Sequence, residues 1–265
     1  DPALEEALNV RLDFMLFTGF ELLEDCPDET TICRFRNKLI QMGLAEKLFK
    51  EINDQLENLG LKIKKSDGAV IDATVIESAC RPRRHFEIQE DRKEEIESKD
   101  LVNKVESIDP DARWLKKGNR AYFGYKGFVA VDEENGYINK IIVTPANVAE
   151  VSKFPTIIEG LDAKRVYTDK GYTSSENRQT LKEKKFKDGI MHKETKKHKL
   201  TPWEKLKNRL ISKRRYIVEQ GFGTLKRRFG FCRASYRGTI KVQAQFYWKA
   251  MCFNLLKASN RVSFA

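Results

Sequence analysis

The chain has 265 residues, 40% hydrophobic and 34% charged, enough for one sizeable domain and a small second one. Its formal net charge is +11, and residues 185–228 hold 15 Lys/Arg against 4 Asp/Glu while the remainder carries 35 of each sign. One segment bears the whole surplus, which points to a polyanionic partner, nucleic acid first, with a plain lysine-rich surface as the equal alternative on charge alone.

No run approaches the ~18 apolar residues of a membrane span, and no signal-peptide pattern is present. The chain begins with Asp1 rather than methionine, as expected of a piece of a longer protein. Cys26, Cys33, Cys80, Cys232 and Cys252 form no close sequence pairs and read as reduced thiols, not a disulfide frame or zinc site. His85, His192 and His198 are the only histidines. They are too few for a His-rich metal site or a Ser-His-Asp triad, so metal chemistry here would use carboxylates.

Residues 1–64 read as a small helical domain. Asp1-Pro2 suits a cap and first turn, "CPDETTICRFRNKL" (26–39) offers a second start, and "AEKLFKEINDQLENLG" (45–60) is amphipathic up to a glycine stop. From residue 67 the period changes. "GAVIDATVI" (68–76) reads as a buried strand. Residues 83–100, within a charged excursion at about 82–112, show no strand or core pattern. "AYFGYKGFVAVD" (121–132) and "YINKIIV" (137–143) form a hairpin around "EENG". A helix with Pro155 inside follows at 149–161, then a strand "KRVYTD" (164–169), a serine-capped helix at 174–184, and a strand at 188–192. Residues 185–213 are basic and polar, and helices are expected at 213–229 and 239–258. Strands with intervening helices make this an α/β arrangement.

Three carboxylates stand out. Asp72 interrupts the apolar strand VIDATVI, where it faces solvent by alternation or is buried with a partner or a metal. Asp169 ends a strand before "KGY", in the place where α/β sheets gather ligands, although a simple Asx turn would also account for it. Glu219 follows Arg215 by four residues and precedes Lys226 by seven, so all three share a helical face; alone, it reads as an ordinary ion pair worth ~0.3–0.5 kcal/mol. Together the three are hard oxygen ligands for Mg²⁺ or Mn²⁺. Two such ions ~3.5–4 Å apart support phosphodiester chemistry.

Five stretches, in order, resemble the DDE transposases of bacterial insertion sequences, of the IS-five type: "DETTICRFRNKL" (28–39), "VIDATVI", "YFGYKGFVAVD" with "VTPANV" (143–148), "VYTDKGYTSSENRQTL" (166–181) and "RRYIVEQGFGTLKRRFG" (214–230). The resemblance covers nearly the whole chain. It implies an RNase-H-like mixed sheet flanked by helices, with an N-terminal helical region that binds DNA and a catalytic domain over 65–265. The implied triad, which would hold the two ions, is Asp72, Asp169 and Glu219. The signature Tyr, two residues, Arg, three residues, Glu, six residues, Lys/Arg is met by Arg215, Glu219 and Lys226, while Ser212 stands at the tyrosine position. Phe128 stands where relatives often have His, and Ala149-Glu150 where they often have His-Asp; neither place is assigned a catalytic duty.

The implied activity is cleavage at transposon ends and strand transfer into target DNA. Double-stranded DNA is the partner, a homodimer forms the synaptic complex, and the protein works at the nucleoid in the bacterial cytoplasm. Arg215, Lys226, Lys126, Lys170, Tyr172, Arg227 and Arg228 are the expected DNA contacts, with Tyr125 and Tyr172 reading as packing rings rather than base-stacking ones. A nuclease of the same fold without strand transfer, or a transposase-derived DNA-binding regulator, are the alternatives.

Overall fold

The computed structural model describes residues 1–22, 24–81, 83–87, 102–106, 108–196 and 198–262, with 83–87 and 102–106 as backbone alone. The chain divides into two compact units, Asp1–Leu48 and Phe49–Ala265. In the first, α1 (Pro2–Val10) packs against α2 (Leu12–Thr18) and α3 (Glu29–Gln41). Asp28 caps α3 by accepting from the Thr31 amide at 2.7 Å.

The division falls inside α4 (Leu44–Asn58), earlier than the break expected after residue 64. The later turns of α4 belong to the larger unit. Phe49 sets its ring 5.4 Å from that of Tyr247, and the Asn254 amide donates to Asn53 Oδ1 at 2.7 Å.

In the larger unit, β1 (Ser66–Glu77) is followed by β2 (Arg83–Glu87) and β3 (Val102–Glu106), which pair antiparallel. The excursion thus carries a hairpin where charge composition gave no strand pattern; the rest of 88–101 lies outside the described residues. Its far end is core. Asp109 is fully buried because it accepts from Ser78 Oγ and Tyr125 Oη, each at 2.5 Å, and from the Gly238 amide at 3.1 Å, and a buried polar group needs such partners. β4 (Arg113–Lys117) was also not anticipated. It is an edge strand with mostly exposed, charged residues, a common guard against edge pairing.

β5 (Arg120–Asp132) and β6 (Ile138–Pro145) form the expected hairpin, followed by α5 (Glu150–Ile157), β7 (Ala163–Thr168), a 3-10 turn (Lys170–Tyr172), α6 (Ser175–Glu183) and β8 (Lys187–Ile190). The sheet order is β4-β5-β1-β7-β8, with β6 on β5. β1 is antiparallel to β5 and parallel to β7, and β7 is parallel to β8. Ile71, Phe128, Val166 and Ile190 pack with Phe154 and Ile157 of α5 and Leu181 of α6 in one buried cluster. The other face is covered by α7 (Pro202–Arg227), against β1 and β7, and by α8 (Thr239–Ser259), against β6. This mixed sheet flanked by helices is an RNase-H-like arrangement, and the chain also carries N-terminal helices.

α7 starts at Pro202 rather than at residue 213. Thr201 and Glu204 form a capping box, Thr201 Oγ1 accepting the Glu204 amide and the Glu204 carboxylate accepting the Thr201 amide, with Pro202 in the first turn. The Thr201 amide and hydroxyl hold Glu204 down to about pH 2 from an ordinary 4.5. A depressed carboxyl pKa stabilises the fold fully above 4.5, and that contribution fades as pH falls towards 2. Glu204→Gln is expected to lower the melting temperature at neutral pH and to flatten its dependence between pH 4.5 and 2. Thermal unfolding across that range checks both.

Candidate active site

Strand alternation decides where Asp72 points. Ile71 and Ala73 face the cluster under α5 and α6, so Asp72 faces α7. There Arg215 Nη2 donates to Asp72 Oδ2 at 2.7 Å, and the Ala73 amide donates to Oδ1 at 2.8 Å. The pair is nearly closed to solvent, with side chains 13% and 15% exposed. Burial pushes the Asp72 carboxyl above the usual carboxylate range, and the charge of Asp169 adds to the push; Arg215 and the Ala73 amide pull the other way.

Register brings in Asp169. Val70 pairs with Tyr167 across the parallel β1–β7 ladder, and Asp72 and Asp169 come two residues later on each strand. Asp169 caps the 3-10 turn, its Oδ1 accepting the Gly171 amide at 2.7 Å. Glu219 lies one helical turn beyond Arg215 on α7 and is exposed. It shares with Asp72 an open cleft of about 560 Å³, lined also by Lys117, Arg120, Tyr122 and Lys226. Among the described residues no three His, Cys, Asp or Glu side chains are arranged to hold a metal ion. The donor set is nonetheless all carboxylate, the chemistry of a hard divalent cation. The raised pKa of Asp72 reflects first its burial, a cost to the carboxylate that a bound cation would offset.

Glu150, the first residue of α5, belongs to this neighbourhood, although its position was given no duty from sequence. A Cβ at Gly171 would lie 2.5 Å from Glu150 Oε2 and 2.9 Å from Asp169 Oδ1, so both carboxylates converge on the bare face of that glycine. Lys126 holds Glu150 from behind, 3.5 Å from Oε1, while donating to the Val148 carbonyl at 2.9 Å. The available signal was an acid at the second of two positions, Glu150 where relatives often carry Asp.

Two expected DNA contacts are corrected. Lys126 is only 7% exposed and its ammonium is spent on Val148 and Glu150. Tyr172 is fully buried against Phe154. Burial, then the fields of Asp72, Glu150 and Asp169, push its hydroxyl pKa well up, and that hydroxyl has no hydrogen-bond partner among the described residues. Arg215 is committed to Asp72 and acts as a positioning group. Lys170, Arg227 and Arg228 are exposed, and Lys226 lines the cleft.

Residues 63–255 match a family model described as a transposase DDE domain, and residues 1–38 match a second, a transposase domain (DUF772). The chain is similar to the transposase for insertion sequence element IS1106 of Neisseria meningitidis serogroup B, 46% identical over 231 residues that cover 87% of this chain and 78% of that one. The chain belongs to the DDE transposase family.

Removing Arg215 leaves Asp72 as an unpaired buried charge. Arg215→Ala is expected to cost ~3–5 kcal/mol, with much of the loss recovered when Asp72→Asn is added; urea unfolding of the single and double variants tests this. Gly171→Ala displaces the flexible end of Glu150 more than any backbone, so stability should change little. Misplacing the carboxylates by about 1 Å should still cost on the order of 100-fold in DNA cleavage, read as the nicking rate beside the melting temperature.

Proposed function

We propose that this chain is a DNA transposase in which Asp72, Asp169 and Glu219 hold divalent ions, Mg²⁺ or Mn²⁺ and two in number, for cleavage at transposon ends and strand transfer into target DNA. The observation that supports this reading is the parallel register of β1 and β7, in which Val70 pairs with Tyr167 two residues before Asp72 and Asp169. Ions bound there would activate the attacking water or 3′-hydroxyl and stabilise the leaving oxygen.

The protein's own groups prepare that chemistry. Arg215 fixes the Asp72 carboxylate and competes with a cation for Oδ2. The Gly171 amide fixes Asp169. Glu150, backed by Lys126, limits the directions in which Asp169 can swing. Lys226, Lys117 and Arg120 line the cleft and take the phosphates of the cut strand, with Lys170, Arg227 and Arg228 extending the basic surface. Two copies act together, one on each transposon end, on the bacterial chromosome.

Asp169→Asn is expected to abolish nicking of a terminal-repeat duplex in Mg²⁺ while leaving DNA binding intact. Undiminished nicking would remove Asp169 from the site. Labelled ends that are cut but never joined to a target plasmid would reduce the protein to a nuclease. Binding should weaken steeply with salt.

A further inference from the structure

α7 divides its face of the sheet. The catalytic cleft lies at the β4–β5–β1 end. At the other end a second cleft of about 560 Å³ opens between β7, β8 and α7, lined by Arg165, Tyr167, Asp188, Lys207, Lys213 and Arg214 among others. The two clefts share no lining residue. They also use different flanks of the helix. At ~100° per residue, Glu219, Gly223 and Lys226 fall on one side of the buried stripe Ile211, Val218 and Leu225, and Leu210, Lys213 and Arg214 on the other.

The charge of this second cleft is available to a ligand. Arg165, Lys207 and Lys213 form no ion pair with any described residue. Arg214 is shared with Glu133 at 3.0 Å. The acid in the lining, Asp188, is already neutralised by Arg178. Arg165 lies across the Tyr167 ring, 5.9 Å from its centroid, so aromatic surface backs the cations. Tyr167, Leu210 and Ile211 give the trough an apolar floor, and the unpaired cations along it suit a phosphodiester backbone.

We propose that this groove is a second phosphate-backbone site that holds the target duplex while the transposon end occupies the catalytic cleft. The proposal rests on the transposase reading above, because joining requires two DNA molecules at one enzyme. The sheet and α7 offer them separate tracks on opposite flanks of one helix. Contacts here are to phosphates and carry no sequence preference.

The test uses the full chain with Lys207→Glu and Lys213→Glu combined, and Lys207→Gln with Lys213→Gln as the milder pair. The readouts are nicking of a labelled terminal-repeat duplex, joining to a plasmid target, and the salt dependence of binding to a random duplex. The expected result is nicking within about twofold of the parent and joining at least tenfold lower at limiting target. Joining should recover as target concentration rises, and the log–log salt slope should be shallower by ~2. The glutamine pair should show smaller losses in the same order. Equal loss of nicking and joining at an unchanged melting temperature would assign the groove to the cleaved duplex and overturn the proposal. Unchanged joining and an unchanged salt slope would overturn it too. If the parent itself cuts nothing, the catalytic reading has failed, and the salt slope alone decides the groove.

Discussion

The ion pair between Arg215 of α7 and Asp72 of β1 is the contact on which the catalytic face depends. A carboxylate set in the apolar strand VIDATVI costs several kcal/mol unless it is matched by charge and hydrogen bonds. The match comes from 143 residues away in sequence. Arg215 had a nearer candidate, Glu219, four residues on along the same helix. An exposed pair of that kind is worth only ~0.3–0.5 kcal/mol, whereas Asp72 is nearly closed to water. Arg215 goes to the carboxylate that needs it, and Glu219 is left in the cleft with no ion pair among the described residues. The same choice docks α7 on β1 and leaves a second acid available for chemistry.

The sheet supplies the other half of the constraint. β1 and β7 run parallel, so their connection must cross from one end of the sheet to the other. The β5–β6 hairpin and α5 fill that crossing, and α5 delivers Glu150 to the turn after Asp169. A one-residue slip in the β1–β7 register would turn one of the two aspartates to the opposite face, towards Phe154 and Leu181. Packing of Ile71, Val166 and Ile190 into that buried cluster fixes the register, so the apolar side of the sheet holds the acidic side in place.

Much of this was legible in the sequence, and what was missed has physical causes. β1, β5, β6 and β7 are runs rich in β-branched or aromatic residues and stand close to where that signal puts them, and β8 (Lys187–Ile190) overlaps the strand expected at 188–192. β4 and the β2–β3 hairpin are charged segments whose strand character comes from pairing, not composition. The start of α7 was readable in "TPWE", a capping box with a first-turn proline, but the basic composition of residues 193–212 hid it. The three candidate carboxylates stand out in the sequence because a carboxylate in an apolar strand, another at a strand end and a third on a basic helix are each odd in their setting. Burial was not readable. Lys126 and Tyr172 sit in motif positions that look basic or polar, yet Lys126 is consumed by Val148 and Glu150, and Tyr172 is closed over by Phe154. Alternation alone could not tell whether Asp72 faced water or α7, because both faces of a central strand are covered.

The charge surplus of residues 185–228 therefore cannot be read as one uniform DNA-binding surface. Arg215 is spent inside on Asp72, and Arg214 is shared with Glu133. Lys226 goes to the catalytic cleft, while Lys207 and Lys213 go to the groove beyond the helix. One amphipathic helix with basic residues on both flanks of its buried stripe performs all of these tasks. Its buried face seats it on the sheet and its arginine secures the central aspartate. Its two flanks then present cations to separate troughs, and only one of those troughs contains the carboxylates. A uniformly basic helix laid on a neutral sheet would bind DNA without telling one duplex from another. Placing Asp72 and Glu219 on one side of α7 makes the two troughs chemically different, one with those acids among its cations and the other without them.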